Sequence, residues 1–172
     1  MFQSQPYYTT QIEDYIQHLY QSLSIFVPEQ IDMIEIAKKL NICLYFAPFG
    51  SHAIERNGVA SLVIDSRKTK SEHWEDFSHE LCHILLHSGN QLSMSKMFLN
   101  YQEAKANNFA LQFCIPTFML RRLPAVHLET LSIAETFNVT LGFAEKRLLH
   151  FENQLFASKL HHAINHHATL TQ

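Results

Sequence analysis

The stretch that most constrains this chain is His79-Glu80-Leu81-Cys82-His83, set inside the run from Trp74 to His87. At about 100° per residue, Trp74, Phe77, Leu81, Ile84 and Leu85 fall on one side of a helix, while His79 and His83 fall nearly opposite. One face therefore anchors the helix and the other presents two imidazoles. Histidines four residues apart stand one above the other, so their ring nitrogens can converge on one tetrahedral Zn²⁺, with Glu80 beside them as general base. A random shuffle of 172 residues containing 12 His and 12 Glu would hold about 0.06 such matches, so accident is a poor explanation. The local context agrees: Thr69-x-x-Glu72 reads as a capping box, and Glu72, Glu75 and Asp76 put negative charge in the first turns. The alternative is a His-rich helix surface without metal.

With 47% hydrophobic and 17% charged residues, the chain has ordinary globular composition and enough length for one well-buried core. No stretch approaches the ~20 apolar residues of a membrane span, and no basic segment precedes an apolar run at the start. The expectation is a soluble, unsecreted, cytoplasmic protein. Cys43, Cys82 and Cys114 are odd in number and lack pair spacing, which suits free buried thiols in a reducing compartment. A net charge of −3 offers no general attraction to nucleic acid.

Only 4 Gly and 5 Pro punctuate the chain, so helices should dominate. Residues 10–24 carry Ile12, Tyr15, Ile16, Leu19, Tyr20 and Leu23 at helical spacing. Pro28 is expected to open a second helix, with Ile31, Ile34, Ile36, Ala37 and Leu40 on its apolar face and Asn41 closing it. Ile42 to Phe46 reads as a strand, and Val59 to Ile64, introduced by Asn57-Gly58, as a second that could pair with it. Either that second strand lines the cleft as an unpaired edge able to receive an extended peptide, or it is fully paired inside the sheet. After a break at Ser88-Gly89-Asn90, a helix is expected from Tyr101 to Cys114, stopped by Pro116.

Catalytic zinc usually has three protein ligands and one open position. His87 lies two turns beyond His79, roughly 12 Å along the axis at 1.5 Å per residue, which is far for three rings to meet one ion. Glu103 is the better prospect. It shares a face with Asn107, Ala106, Ala110 and Cys114, and small residues there would let its helix approach the histidine helix closely. Asn107, one turn on, could hydrogen-bond a ligand histidine and fix its tautomer. On spacing alone, Glu103 could equally be a solvated helix carboxylate. Phe109 and Phe113 point to a different side and read as core.

Taken together, His79 to His87 and the run Glu103-Ala104-Lys105-Ala106-Asn107-Asn108-Phe109-Ala110, closed by Pro116, resemble the ImmA/IrrE metallopeptidases. Asn57-Gly58-Val59 to Ile64 looks like the strand that precedes the metal helix in that family, so the resemblance covers roughly residues 30–120. It implies a zincin-like α+β fold, mostly helical with a small sheet beside the metal-binding helix, and Zn²⁺ held by His79, His83 and Glu103 with Glu80 as base. It also implies a role on a mobile, prophage-like element, where such proteases inactivate a repressor. Two departures stand out. Cys82 replaces the glycine common before the second histidine, and Lys105 stands where the family often has an acidic or amide residue, which puts in doubt a contact that steadies the Glu103 helix.

Towards the end, Leu131, Ile133, Ala134, Phe137, Val139, Ala144 and Leu148 outline two helices joined at Asn138-Val139-Thr140, in a helix-turn-helix-like arrangement. As a DNA reader it would offer only Lys146, Arg147 and His150 on its second helix, so DNA binding is not expected and a helical cap or partner-docking subdomain is. The expected division is a metallopeptidase domain over 1–124, a helical subdomain packed on it over 125–160, and a His-containing tail over 161–172 without ordered structure. The function expected is zinc-dependent hydrolysis of a peptide bond in one protein substrate, a helix-turn-helix repressor, without membrane association. The alternative is a non-catalytic regulator that keeps the metal as a staple and binds DNA or protein through its C-terminal helices. Tyr101 and His87 are too weakly placed to be named as supporting the oxyanion.

Overall fold

The computed structural model describes residues 6–86, 95–124 and 127–170, with side chains through residue 164. His87 and the expected break at Ser88-Gly89-Asn90 lie outside the described residues. Helix α1 (Gln11–Ser22) begins at a reciprocal capping box in which Thr10 caps Glu13 and the Glu13 carboxylate accepts from the Thr10 backbone N–H at 2.7 Å. Ile16 and Tyr20 are buried along it, and the Tyr20 hydroxyl donates to the Phe113 carbonyl at 2.7 Å.

The helix expected to start at Pro28 is divided. Pro28 heads only a single 3₁₀ turn (Pro28–Gln30), Ile31 is extended, and α2 (Met33–Lys39) starts afresh. The cause is Asp32, whose carboxylate accepts from the Ile34 and Glu35 N–H groups at 2.8 and 3.0 Å and so fixes a new N-terminus. Ile34 consequently points to solvent. Asn41, at φ 55°, ends the segment in the left-handed conformation as expected.

Three strands follow: β1 (Cys43–Ala47), β2 (His52–Arg56) and β3 (Val59–Asp65). Their order is β1-β3-β2, with β1 parallel and β2 antiparallel to β3. The expected pairing of the first and last of these is present. β3, however, is paired on both sides, and the edges are β1 and β2. Asn57 and Gly58, at φ 54° and 76°, form the two-residue hairpin turn between β2 and β3, the geometry in which Asn-Gly is favoured because both residues need positive φ.

A short loop leads from β3 into α3 (Lys70–Leu86). Arg67 grips the Asp65 carboxylate through Nε and Nη2 at 2.8 and 2.6 Å, and Thr69 and Glu72 form the expected capping box. Trp74, Phe77 and Leu81 are buried, with Ile84 and Leu85 packed against the core. Phe77 and Leu81, fully enclosed, each contribute about 1.5–3 kcal/mol relative to exposure. Helix α4 (Lys96–Cys114) begins earlier than expected because the Ser95 hydroxyl caps it by accepting from the Phe98 N–H at 3.3 Å. Phe109 and Phe113 lie in the core as expected, and the three cysteines are unbridged, with Cys82 and Cys114 buried.

After Pro116 come a single turn α5 (Thr117–Leu120), then α6 (Thr130–Phe137) and α7 (Leu141–Leu170). Asn138, at φ 51°, closes α6. Helix α7 does not stop near residue 160. It continues through the expected tail to Leu170, as the absence of Gly and Pro after Gly142 permits. Phe137, Val139, Ala144 and Phe151 belong to the same hydrophobic cluster as Ile16, Phe77 and Phe113.

Arg147 is one of the three residues that the helix-turn-helix-like outline offered to DNA, yet its side chain is fully buried. Its Nε donates to the Ile115 carbonyl at 3.0 Å and its Nη2 to the Thr117 hydroxyl at 2.6 Å. Thr117 in turn donates to Glu13, which also accepts from the Tyr7 hydroxyl at 2.5 Å. A buried charge is tolerable only when so partnered, and here the partners tie the C-terminal helix to the N-terminal one.

Candidate metal centre

Helices α3 and α4 lie side by side and antiparallel. At one end the Cys114 thiol donates to the Ser78 hydroxyl at 3.0 Å, and at the other Glu103 meets His79 and His83. Ala106, Ala110 and Cys114 are buried in the contact, so small side chains permit the close approach that the face of α4 suggested. Cys82 is also fully buried. Its place before the second histidine therefore belongs to packing, away from the imidazoles.

The polar ends converge on one point. His79 Nε2 lies 3.2 Å from Glu103 Oε2, His83 Nε2 lies 3.4 Å from Glu103 Oε1, and the two Nε2 atoms are 3.3 Å apart. Three donor atoms bound tetrahedrally to one Zn²⁺ at about 2.0–2.1 Å stand roughly 3.3–3.4 Å from one another. The two Nε2 atoms hold that spacing and each faces a different oxygen of Glu103, one donor atom from each residue lying within 4.8 Å of the others, and the donor set of two imidazoles and one carboxylate suits zinc. Glu103 is half exposed, whereas His83 is almost enclosed, so the candidate site is open on the carboxylate side.

Glu80 sits beside this cluster on the side of the sheet. Burial lifts its carboxyl above the usual carboxylate range, a tendency opposed by the positive potential of His79, reinforced by Glu103, and opposed again by a hydrogen bond from the Ala53 backbone. Ala53 belongs to β2, whose only ladder partner among the described residues is β3. Its N–H therefore reaches out of the sheet to α3. Asp76 of α3 takes two further contacts: the Ser51 hydroxyl, just before β2, donates to it, and Lys68 Nζ, in the loop between β3 and α3, donates to the same carboxylate at 2.8 Å. Ser51, Ala53 and Asp76 were not recognised in the sequence. The signal was Asn57-Gly58, which marks a hairpin and so demands a strand on both sides.

One helical turn from the cluster, a cavity of about 480 Å³ opens between α3, α4 and α7, lined by Glu75, His79, Asn107, Leu111, Phe143 and Lys146 among others. Asn107 shares this wall with His79, and among the described residues no hydrogen bond joins the two. Glu75 accepts from the Thr140 N–H at 2.6 Å, while burial raises its carboxyl. Lys105 lies with its ammonium 4.9 Å from the centre of the Tyr101 ring, a cation–π contact that engages it along α4 itself.

Residues 37–149 match the family profile of the IrrE N-terminal-like domain of peptidases. The chain belongs to this peptidase family. It is 42% identical over 166 residues to the phage-like element PBSX protein XkdA of Bacillus subtilis (strain 168), an alignment covering 92% of this chain and 84% of that protein. It is 39% identical over 145 residues to the uncharacterized protein YqaB of the same strain, covering 83% and 84%. The family has a zincin-like fold, so the small sheet beside the histidine helix α3 is the α+β arrangement that the resemblance implied. Membership also agrees with a protein substrate. Among the described residues no helix is long and apolar enough to cross a membrane.

Proposed function

We propose that this peptidase is a zinc-dependent endopeptidase that cleaves a specific repressor protein of a mobile genetic element and so derepresses its genes. The observation that carries the reading is the convergence of His79, His83 and Glu103 at 3.2–3.4 Å with Glu80 one residue from a ligand and under an open strand edge. In this reading His79, His83 and Glu103 hold the ion. When bound, Zn²⁺ supplies Lewis acidity toward the scissile carbonyl and acidifies the attacking water. The Glu80 carboxylate accepts a proton from that water and later delivers it to the leaving amine, a task helped by burial, which brings its proton affinity nearer neutrality. Asn107 lines the path of the substrate beside His79.

The edge strand β2 supplies backbone groups to which an extended substrate segment can add. Residues 1–124 furnish the metal cluster, and residues 125–160 close the adjoining cavity through Phe143 and Lys146. A repressor target is supported by the resemblance and by the similarity to a protein of a phage-like element. A cytoplasmic location is supported by three unbridged cysteines. The competing regulator reading is weakened because Arg147 is committed to the interior and because a structural metal staple has no need of Glu80. Co-expression with each helix-turn-helix repressor encoded nearby, followed by mass measurement of fragments, tests the proposal. A single defined cut is expected, and repressors that all remain intact would refute the assignment of a repressor substrate.

A further inference from the structure

Among the described residues, only one of the two apolar faces of helix α7 is packed against the rest of the chain. Ala144, Arg147, Phe151, Leu155 and Ser158 are buried against the rest of the chain. On the opposite side, at 100° per residue, run Leu149, Asn153, Phe156, Leu160 and Ala163, spaced alternately four and three residues apart. Leu149 is 59% exposed, Phe156 70%, Leu160 55% and the flanking Ile164 58%. Isolated exposed apolar residues are normal, but a row on one helix face at the four-three spacing is the seam by which helices pair. The row begins where the match to the peptidase family ends, at residue 149.

We infer that this face is the interface of a homodimer in which the α7 helices of two copies pair antiparallel. Charge selects the partner and the direction. Glu152 and Lys159 flank the seam on the same side, seven residues apart, and both are exposed. In an antiparallel pair Leu149 meets the partner's Leu160, Asn153 meets the partner's Phe156, and Glu152 comes beside the partner's Lys159. The two-fold axis repeats each of these contacts. In a parallel pair Glu152 would face Ala157 and Lys159 would face Ile164, with no charge satisfied. The same register brings the partner's residue 163 next to Lys146, at the rim of the cavity beside His79. Two helices meeting over about four turns bury less than the ~800 Å² per partner of a standard interface, so the dimer is reversible and concentration-dependent.

The test is sedimentation velocity of the full chain over a wide concentration range. The 20.0 kDa chain is expected to shift toward a species of about 40 kDa as concentration rises. Phe156→Glu, at an exposed position where the monomer fold does not depend on it, should abolish the shift. Glu152→Lys or Lys159→Glu alone should weaken association about tenfold, because two attractive pairs become repulsive, and the double reversal should restore it. Bridging of terminal histidines by metal would show no such rescue. A wild type that stays monomeric throughout, including one whose Phe156→Glu variant loses only substrate cleavage, would overturn the inference. So would single charge reversals without effect, the result expected of a parallel pair.

Discussion

The Nε2 atoms of His79 and His83 stand 3.3 Å apart, and both face the carboxylate of Glu103. Two ring nitrogens held this close gain little unless a cation lies between them. The purified protein is therefore expected to hold about one equivalent of zinc, and His79→Ala or His83→Ala to lose it, since removal of one of three ligands sharply weakens binding. Elemental analysis of the full chain checks this, with the variants reporting any metal on the terminal histidines. Zinc at 100 times its Kd should add about 2.7 kcal/mol to the stability of the wild type and much less to either variant.

Ala53 belongs to an edge strand, and its N–H serves Glu80 instead of the sheet ladder. Proline is tolerated at such a position because no ladder bond is lost. Ala53→Pro should fold and keep its zinc, yet lower kcat/KM by about tenfold or more by freeing Glu80 and blocking the strand edge. Circular dichroism, zinc content and peptide-cleavage rates together decide it. Unchanged kinetics would detach β2 from the substrate path.

The interior network of Tyr7, Glu13, Thr117 and Arg147 predicts an acid-sensitive fold. Burial by itself would raise the Glu13 carboxyl, but hydrogen bonds from Thr117, Tyr7 and Thr10 outweigh it and hold the group below the usual glutamate range. Burial draws Arg147 down to about 10, so it remains charged near neutrality. A carboxyl depressed on folding adds stability that is complete above its unfolded pKa of about 4.3 and is lost as pH falls through the folded value. Glu13→Gln should flatten the loss of stability below about pH 5 and, by leaving the buried arginine uncompensated, cost about 3 kcal/mol at pH 7. Replacing Arg147 by Met at the same time should recover much of that loss. Urea unfolding across pH provides the comparison.

The parts of the fold that were readable are those whose signals are local. Helix α3 announces itself through its apolar period and the Thr69–Glu72 cap, and α4 through Glu103 and small residues on one face. Strand β2 was missed because an edge strand need not bury anything: His52, Glu55 and Arg56 show no apolar alternation. The split at Ile31 was missed because Pro28 and Asp32 both offer helix starts, and only packing shows that Asp32 takes the helix. Helix α7 misled for the opposite reason. Ala144 and Leu148 do face the core as their period suggests, but Arg147 and Ser158 are buried on the same side while Leu149 and Phe156 are exposed, so a core arginine passed for a surface one.

In the proposed mechanism Glu80 performs the chemistry while His79, His83 and Glu103 hold the ion. Wild type and Glu80→Gln, each brought to one equivalent of zinc, should be incubated with the purified repressor and the fragments followed by mass. The account predicts one cut by the wild type and a rate at least about 100-fold lower in the variant, with substrate binding retained. Equal cutting by both proteins would contradict it.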